Sequence, residues 1–281
     1  MFSLFDDILS YDFLVNALYA CILSGITCGV VGSYIVARRM VFLSGGITHA
    51  SFGGLGMALY AGVSPVVGAL GFAALASVGI EYASRRGRMR EDSVVGIIWS
   101  VGMALGALFM SLRPGYATDL TSYLFGNILL VTDDDILYLA LLTLFVVVGA
   151  VAMLRRLMYV VFDEEYARSQ GVATSAMCYI MAVVVAVTVV LSIKVMGIVL
   201  LLSLFTIPAV AANSLTKSYP RITLWAAIIA TVGAVAGLVA SYNWEVPPGT
   251  CIIFILTLVL IAAKLLSLHL KTRLNAPQNH T

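Results

Sequence analysis

The sequence predicts an all-α fold, a polytopic membrane helix bundle of about nine transmembrane helices with one short re-entrant or interfacial segment. Three observations carry that reading. Of 281 residues, 61% are Ala, Val, Ile, Leu, Met, Phe, Trp, Tyr or Cys and only 11% are charged, whereas an average soluble domain is about 45–50% apolar and about 25% charged. The mean hydropathy is +1.03. The apolar residues recur in stretches of about twenty, the length at which a helix crosses a hydrocarbon core of ~30 Å. A water-soluble enzyme is excluded on these grounds.

The first segment, Met1 to Asp12, carries Asp6, Asp7 and Asp12 without Lys or Arg. The apolar stretch behind it is longer than a signal-peptide core and has no small-residue cleavage site, so 13–36 reads as a spanning helix. Further spans are predicted at 41–61, 65–83, 93–112, 136–154, 174–192, 195–213, 222–242 and 250–268. Between the fourth and fifth lies TSYLFGNILLV (121–131), too short to cross, which reads as the re-entrant or interfacial segment. The longest stretch outside the membrane, 155–173, is about 19 residues, below the ~50 of an independent domain. The chain 1–281 is therefore one transmembrane domain ending in a cytoplasmic tail, 269–281.

Orientation follows from the basic residues. Arg38, Arg39, Arg85, Arg86, Arg88, Arg90, Arg155, Arg156, Arg168, Lys217, Arg221, Lys271 and Arg273 fall on one side of these crossings, thirteen of the sixteen Lys and Arg. That side is cytoplasmic by the positive-inside rule, with the N-terminus outside and the C-terminus inside, as in a multi-pass protein of the cell (inner) membrane. The scattered charges form no face for nucleic acid, and membrane lipid is the expected surrounding. The outer loops hold Asp6, Asp7, Asp12, Asp119, Asp133, Asp134, Asp135 and Glu245. These are either ordinary solvated carboxylates or an acidic mouth that gathers cations. Cys21, Cys28, Cys178 and Cys251 all lie in apolar stretches and read as small buried fillers. No P-loop, HExxH or GxSxG occurs, so the chain is not expected to be an enzyme, and any ATP hydrolysis would be supplied by a partner subunit.

The second helix holds the most informative polar residue. Arg38 and Arg39 mark the interface, and His49 follows ten residues later, ~15 Å of helix rise, near the bilayer midplane. Gly45, His49, Gly53 and Gly56 recur at spacings of four and three and share one face for helix packing. Thr48 and its neighbours Ser44 and Ser51 add hydroxyl oxygens. An imidazole at that depth either hydrogen-bonds a neighbouring helix or serves as a transient ligand for a divalent transition metal, and the residues alone leave both open.

A second signal is FDEEYARSQGV (162–172). Asp163, Glu164 and Glu165 complement the dipole of a short helix, Arg168 follows, and Gly171 stops it. Tyr166, Ala167 and the stem of Arg168 are expected to face outward, as a surface for a soluble motor or as an ordinary loop. In 196–213, Pro208 follows Ser203 and Thr206, the setting of a kink or hinge. Glu245, in the turn NWEVPPG (243–249), is the one carboxylate of that turn facing the mouth.

These segments together resemble the integral-membrane permease family of zinc, manganese and iron importers of the ATP-binding-cassette class. The resemblance runs from about Tyr11 to Leu268 on RRMVFLSGGITHASFGG (38–54), YLFGNILLV (123–131), FDEEYARSQGV (162–172), VMGIVLLLSLFTIPAVAA (195–212) and SYNWEVPPG (241–249). It implies a homodimer, two cytoplasmic ATP-binding subunits and an extracytoplasmic metal-binding protein. The metal is then transported substrate and not a resident cofactor. It also implies that residues 163–171 form the coupling helix, seated in a groove of the ATPase. The family commonly places an Asp four residues before the histidine, where this chain has Gly45. Only His49 carries over, with Thr48 or Glu245 as possible compensating oxygens. A histidine without its carboxylate favours zinc over manganese or iron. The alternative function is a gradient-driven secondary carrier or channel for a small solute, against which the lack of deep charged residues argues.

Overall fold

The computed structural model describes residues 11–87, 89–112 and 126–275, with side chains through residue 269. Among them all regular structure is helical: α1 (Asp12–Ala37), α2 (Val41–Ala61), α3 (Pro65–Arg86), α4 (Glu91–Leu112), α5 (Asp133–Phe162), the short α6 (Glu164–Ser169), α7 (Thr174–Leu215), α8 (Tyr219–Trp244) and α9 (Pro248–Asn275). Seven of these are long and apolar enough to cross a membrane. α2 is not among the seven, because its glycines, hydroxyls and His49 dilute its hydropathy, although its 21 residues have the length.

α7 decides the count of crossings. Its 42 residues would extend ~63 Å as a straight helix, twice a bilayer core. Gly197, at φ 73° and ψ 168°, breaks it. Cys178 near its start lies 3.7 Å from the guanidinium of Arg38, while Ala209 and Ala212 near its end cluster with Val36. Both ends of α7 therefore lie at the C-terminal end of α1, and Gly197 marks a turn at the other end. The stretches 174–192 and 195–213 are thus two arms of one helical run, and the described residues hold nine helical segments of crossing length.

The turn at Gly197 is packed closely. A Cβ on Gly126, which has φ +60°, would stand 2.2 Å from the Gly197 nitrogen. Of the short segment 121–131, residues 121–125 lie outside the described residues. The rest is one 3-10 turn, Ile128–Leu130, capped by the Asn127 side chain, which accepts from the Leu129 N–H at 3.1 Å.

The core centres on α1 and α7, where Tyr34, Ile35, Leu201, Leu204 and Phe205 are fully buried, and it continues through Leu43 and Ile47 of α2, Ile80 of α3, Leu139 of α5 and Ile252 and Leu256 of α9. α2 packs mainly on α4 and α3, with α7 behind it. The two ends of the bundle differ in charge. One end holds Arg38, Arg85, Arg155, Arg156, Arg168 and Arg221; the other holds Asp133, Asp134, Asp135, Lys194 and Glu245. Two of those acids are engaged. Asp133 accepts from the Asn16 amide at 2.8 Å, and Asp135 is buried, closing a capping box with Thr132 and pairing with Lys194 at 2.6 Å. The expected acidic mouth is reduced to that extent. Asp6, Asp7 and Asp119 lie outside the described residues.

Candidate functional site

α2 begins where Met40 follows the tight α1–α2 turn. Arg39 takes φ +59° there, and the Met40 N–H bonds the Ile35 carbonyl at 2.8 Å. His49 is the ninth residue of the helix, ~12 Å along its axis. Its ring stacks face to face on Trp99 of α4, with centroids 4.3 Å apart and planes 3° apart. Stacking fixes the ring plane and leaves the ring's edge, where the nitrogens lie, clear of Trp99. Nδ1 is buried and has no hydrogen-bond partner among the described residues. A buried polar nitrogen without a partner carries a desolvation penalty, which a transient cation would offset.

The glycines of α2 divide into two groups. A Cβ on Gly53 would stand 2.8 Å from the Gly102 carbonyl oxygen, and one on Gly56 would stand 2.6 Å from that of Gly106. These two form the backbone-to-backbone seam with α4. Gly45 does not join it: a Cβ there meets nothing nearer than Leu202 Cδ2, at 4.0 Å. The expectation that Gly45, Gly53 and Gly56 share one packing role fails because Gly45 turns toward Leu202 of α7, while its neighbour Gly46 turns toward α4, where a Cβ would stand 2.3 Å from Val95 Cγ1.

The other proposed ligands do not gather at His49. Thr48 is fully buried and donates to the Ser44 carbonyl at 2.7 Å, and Ser44 and Ser51 donate to their own helix in the same way. In an apolar setting a hydroxyl takes the nearest free carbonyl lone pair, here one turn back. Glu245 is an exposed left-handed cap at the end of α8 (φ 54°), at the end of the bundle and ~18 Å of helix rise beyond His49. Among the described residues no three His, Cys, Asp or Glu groups stand together as a metal site. One chain therefore offers a single imidazole, an incomplete shell for any divalent metal. Pro208 sits in the second arm of α7, and the non-helical residue of that run is Gly197. Thr206 and Ser203 donate to the Leu202 and Val199 carbonyls at 2.8 and 2.9 Å.

At the basic end, Asp163 caps α6, accepting from the Glu165 and Tyr166 N–H groups at 2.9 Å each. Gly171 ends the segment at φ +75°. Glu165, Tyr166 and Arg168 are exposed, and the ring of Tyr166 meets Tyr159 edge-on. Ala167 is completely buried, against the expectation that it faces outward, because it is the residue that seats α6 on the bundle. Glu164 also turns inward. It accepts from Arg38 at 2.7 Å and from Arg85 at 3.0 and 3.2 Å, with Arg168 at 3.8 Å. Partial burial alone would raise the Glu164 carboxyl, but the hydrogen bonds from Arg85 and Arg38 outweigh it and hold the group below the ordinary carboxylate value.

This architecture matches a known family along most of its length: residues 10–267 match the ABC 3 transport family. The chain belongs to that family. It is 32% identical over 251 residues to the manganese transport system membrane protein MntC of Halalkalibacterium halodurans, covering 89% of this chain and 86% of that one. It is 27% identical to the protein of the same name from Listeria monocytogenes, covering 92% of each chain. Among solved structures it superposes on a chain of PsaBC from Streptococcus pneumoniae in complex with Fab with a TM-score of 0.84 and 27% identity, covering 96% of this chain and all of that one.

Sequence reasoning overlooked Trp99, the Gly102–Gly106 pair and the partners of Glu164. The spacing of Gly102 and Gly106, with three residues between, was a readable helix-packing signal. Trp99 and the arginine partners carried none, because each becomes informative only when another helix is placed against it.

Proposed function

We propose that this chain is the membrane permease subunit of an ATP-binding-cassette importer that moves a divalent transition-metal ion into the cytoplasm by alternating access. The observation that carries the reading is His49, mid-helix, held flat by Trp99 with an unpartnered buried Nδ1, in a chain whose family and named relatives are transport proteins. A single imidazole per chain makes an incomplete shell, so two copies face each other across the path and each contributes its His49. Weak coordination of this kind suits a carrier, because a tightly held ion would not leave.

The basic end faces the cytoplasm under the positive-inside rule. There Asp163, Glu165, Tyr166, Arg168 and Gly171 present α6 to a cytoplasmic ATP-binding subunit, and an extracytoplasmic metal-binding protein delivers the ion at the opposite end. The relatives named for manganese keep that metal in contention. The donor set favours zinc, since a nitrogen donor without a carboxylate at Gly45 suits zinc better than the harder manganese ion.

The test is the reconstituted complex, assayed for ATP-driven uptake of Zn²⁺, Mn²⁺ and Fe²⁺. Zinc is expected to be carried fastest, and His49→Ala is expected to abolish uptake while the complex still assembles. Wild-type uptake by that variant removes His49 from the path.

A further inference from the structure

Glu164 is the one carboxylate of α6 that faces the bundle, and its contacts belong to two separate parts of the molecule. Arg38 closes α1, and Arg85 stands one residue before the end of α3. Both donate to the same carboxylate, Arg38 at 2.7 Å and Arg85 at 3.0 and 3.2 Å. Arg85 grips both carboxylate oxygens as a fork, which fixes direction as well as distance, while Arg38 gives Glu164 one charge-assisted bond and donates from its other terminal nitrogen to the Val160 carbonyl at 3.1 Å. Arg85 is held in turn by Glu81 through its Nε.

Both arms lead to α2. From Arg38 the path is the chain itself. Only Arg39 and Met40 separate it from Val41, and the bonds from Arg39 N–H to Val36 (3.1 Å) and from Met40 N–H to Ile35 (2.8 Å) leave no slack. From Arg85 the path is packing, since α3 lies against α2 so closely that a Cβ on Gly54 would stand 2.1 Å from the Gly68 carbonyl oxygen. α6 itself is bounded by extended Asp163 on one side and left-handed Gly171 on the other, so it is a separate short helix and not a continuation of α5 or α7. An open pocket of about 270 Å³, lined by Arg38, Glu81, Arg85, Glu91 and Glu164, adjoins the joint.

We propose that Glu164 is a positioning residue, the joint through which a displacement of α6 is passed by Arg38 and Arg85 to α2 and so to His49. The proposal rests on the reading of α6 as the contact of an ATP-binding partner. Glu165, Tyr166 and Arg168 on the exposed side receive the push; Glu164 on the buried side delivers it. The two functions of the helix are thereby divided between neighbouring residues.

The test uses the complete complex with spin labels at Phe42→Cys, on the first turn of α2, and Leu137→Cys, on α5. Both sites are exposed and the four native thiols are buried. In the otherwise wild-type complex, ATP is expected to shift the distance between the labels. With Glu164→Gln added, ATP hydrolysis is expected to stay within about twofold while the shift disappears and zinc uptake falls about tenfold, the scale of a lost charged hydrogen bond. Should Glu164→Gln fail to assemble, Arg85→Lys, which keeps the charge and loses the two-bond fork on Glu164, is expected to reduce the shift. A normal shift in the variant, a shift and hydrolysis that fall together, or a wild-type complex that never shifts overturns the joint. A shift abolished by Glu164→Gln in a complex that carries no zinc, manganese or iron upholds the joint and refutes the cargo.

Discussion

Gly45 and Gly56 stand three turns apart on one helix and are indistinguishable in the sequence, yet they do opposite things. At Gly56 the backbone of α4 is so near that a Cβ would fall 2.6 Å from the Gly106 oxygen, whereas at Gly45 the nearest atom is a leucine methyl at 4.0 Å. The seam between α2 and α4 is closed by glycine facing glycine in one half. In the other half Val95 and Trp99 intervene, and His49 stacks on Trp99 there. Glycine-to-glycine contact with α4 therefore lies beyond His49, and side chains of α4 make the contact before it.

Substitutions that fill the closed half test this division most severely. Gly56→Leu forces two backbones apart and is expected to exceed the ~1–3 kcal/mol of ordinary overpacking, so that little folded permease is recovered on size-exclusion chromatography. Gly53→Ala adds one methyl 2.8 Å from the Gly102 oxygen. It is expected to destabilise by ~1–3 kcal/mol, seen as a lowered unfolding midpoint in detergent. Gly45→Ala is expected to be neutral or to stabilise by ~0.5–1 kcal/mol, because the space is open and alanine favours helix. An equal loss at Gly45 and Gly53 would erase the distinction between the halves. Gly45→Asp sharpens it further, since a carboxylate one turn before His49 is expected to raise manganese uptake relative to zinc in reconstituted vesicles.

The smallest expected effect lies at the basic end and depends on pH. Glu164 titrates below the ordinary carboxylate value in the folded protein. Its stabilisation is therefore complete above the unfolded value of ~4.3 and lost as pH falls through the lower folded value. The difference in unfolding midpoint between wild type and Glu164→Gln should stay constant from neutral pH to about 5 and close below about 4. A difference that instead closed on raising the pH would contradict the ion-pair assignment.

Much of this was legible because its signals are local. Helix 41–61 announced itself by the Arg38–Arg39 interface and an apolar run, and His49 by being a lone imidazole within it. Asp163 and Gly171 announced α6 by the chemistry of helix ends. What escaped the sequence was pairing over distance. Arg38 and Arg85 lie 126 and 79 positions from Glu164, and nothing in their surroundings marks either as its partner. In the sequence Asp135 is one outer-loop acid among several, because Lys194, 59 positions away, gives no sign of approaching it. Ala167 was turned outward because six residues are too few for a helical stripe to show which side is buried.

The sequence by itself determined that this protein is a multi-pass helical membrane protein and which end is basic. These follow from hydrophobicity and charge, which act over a turn or a span. Tertiary structure alone decided that α7 folds back at Gly197, that Gly53 and Gly56 close a seam while Gly45 does not, that Trp99 holds His49, and that Glu164 faces two arginines. Each of these is a distance between segments far apart in the chain, and such distances are set by how whole helices pack.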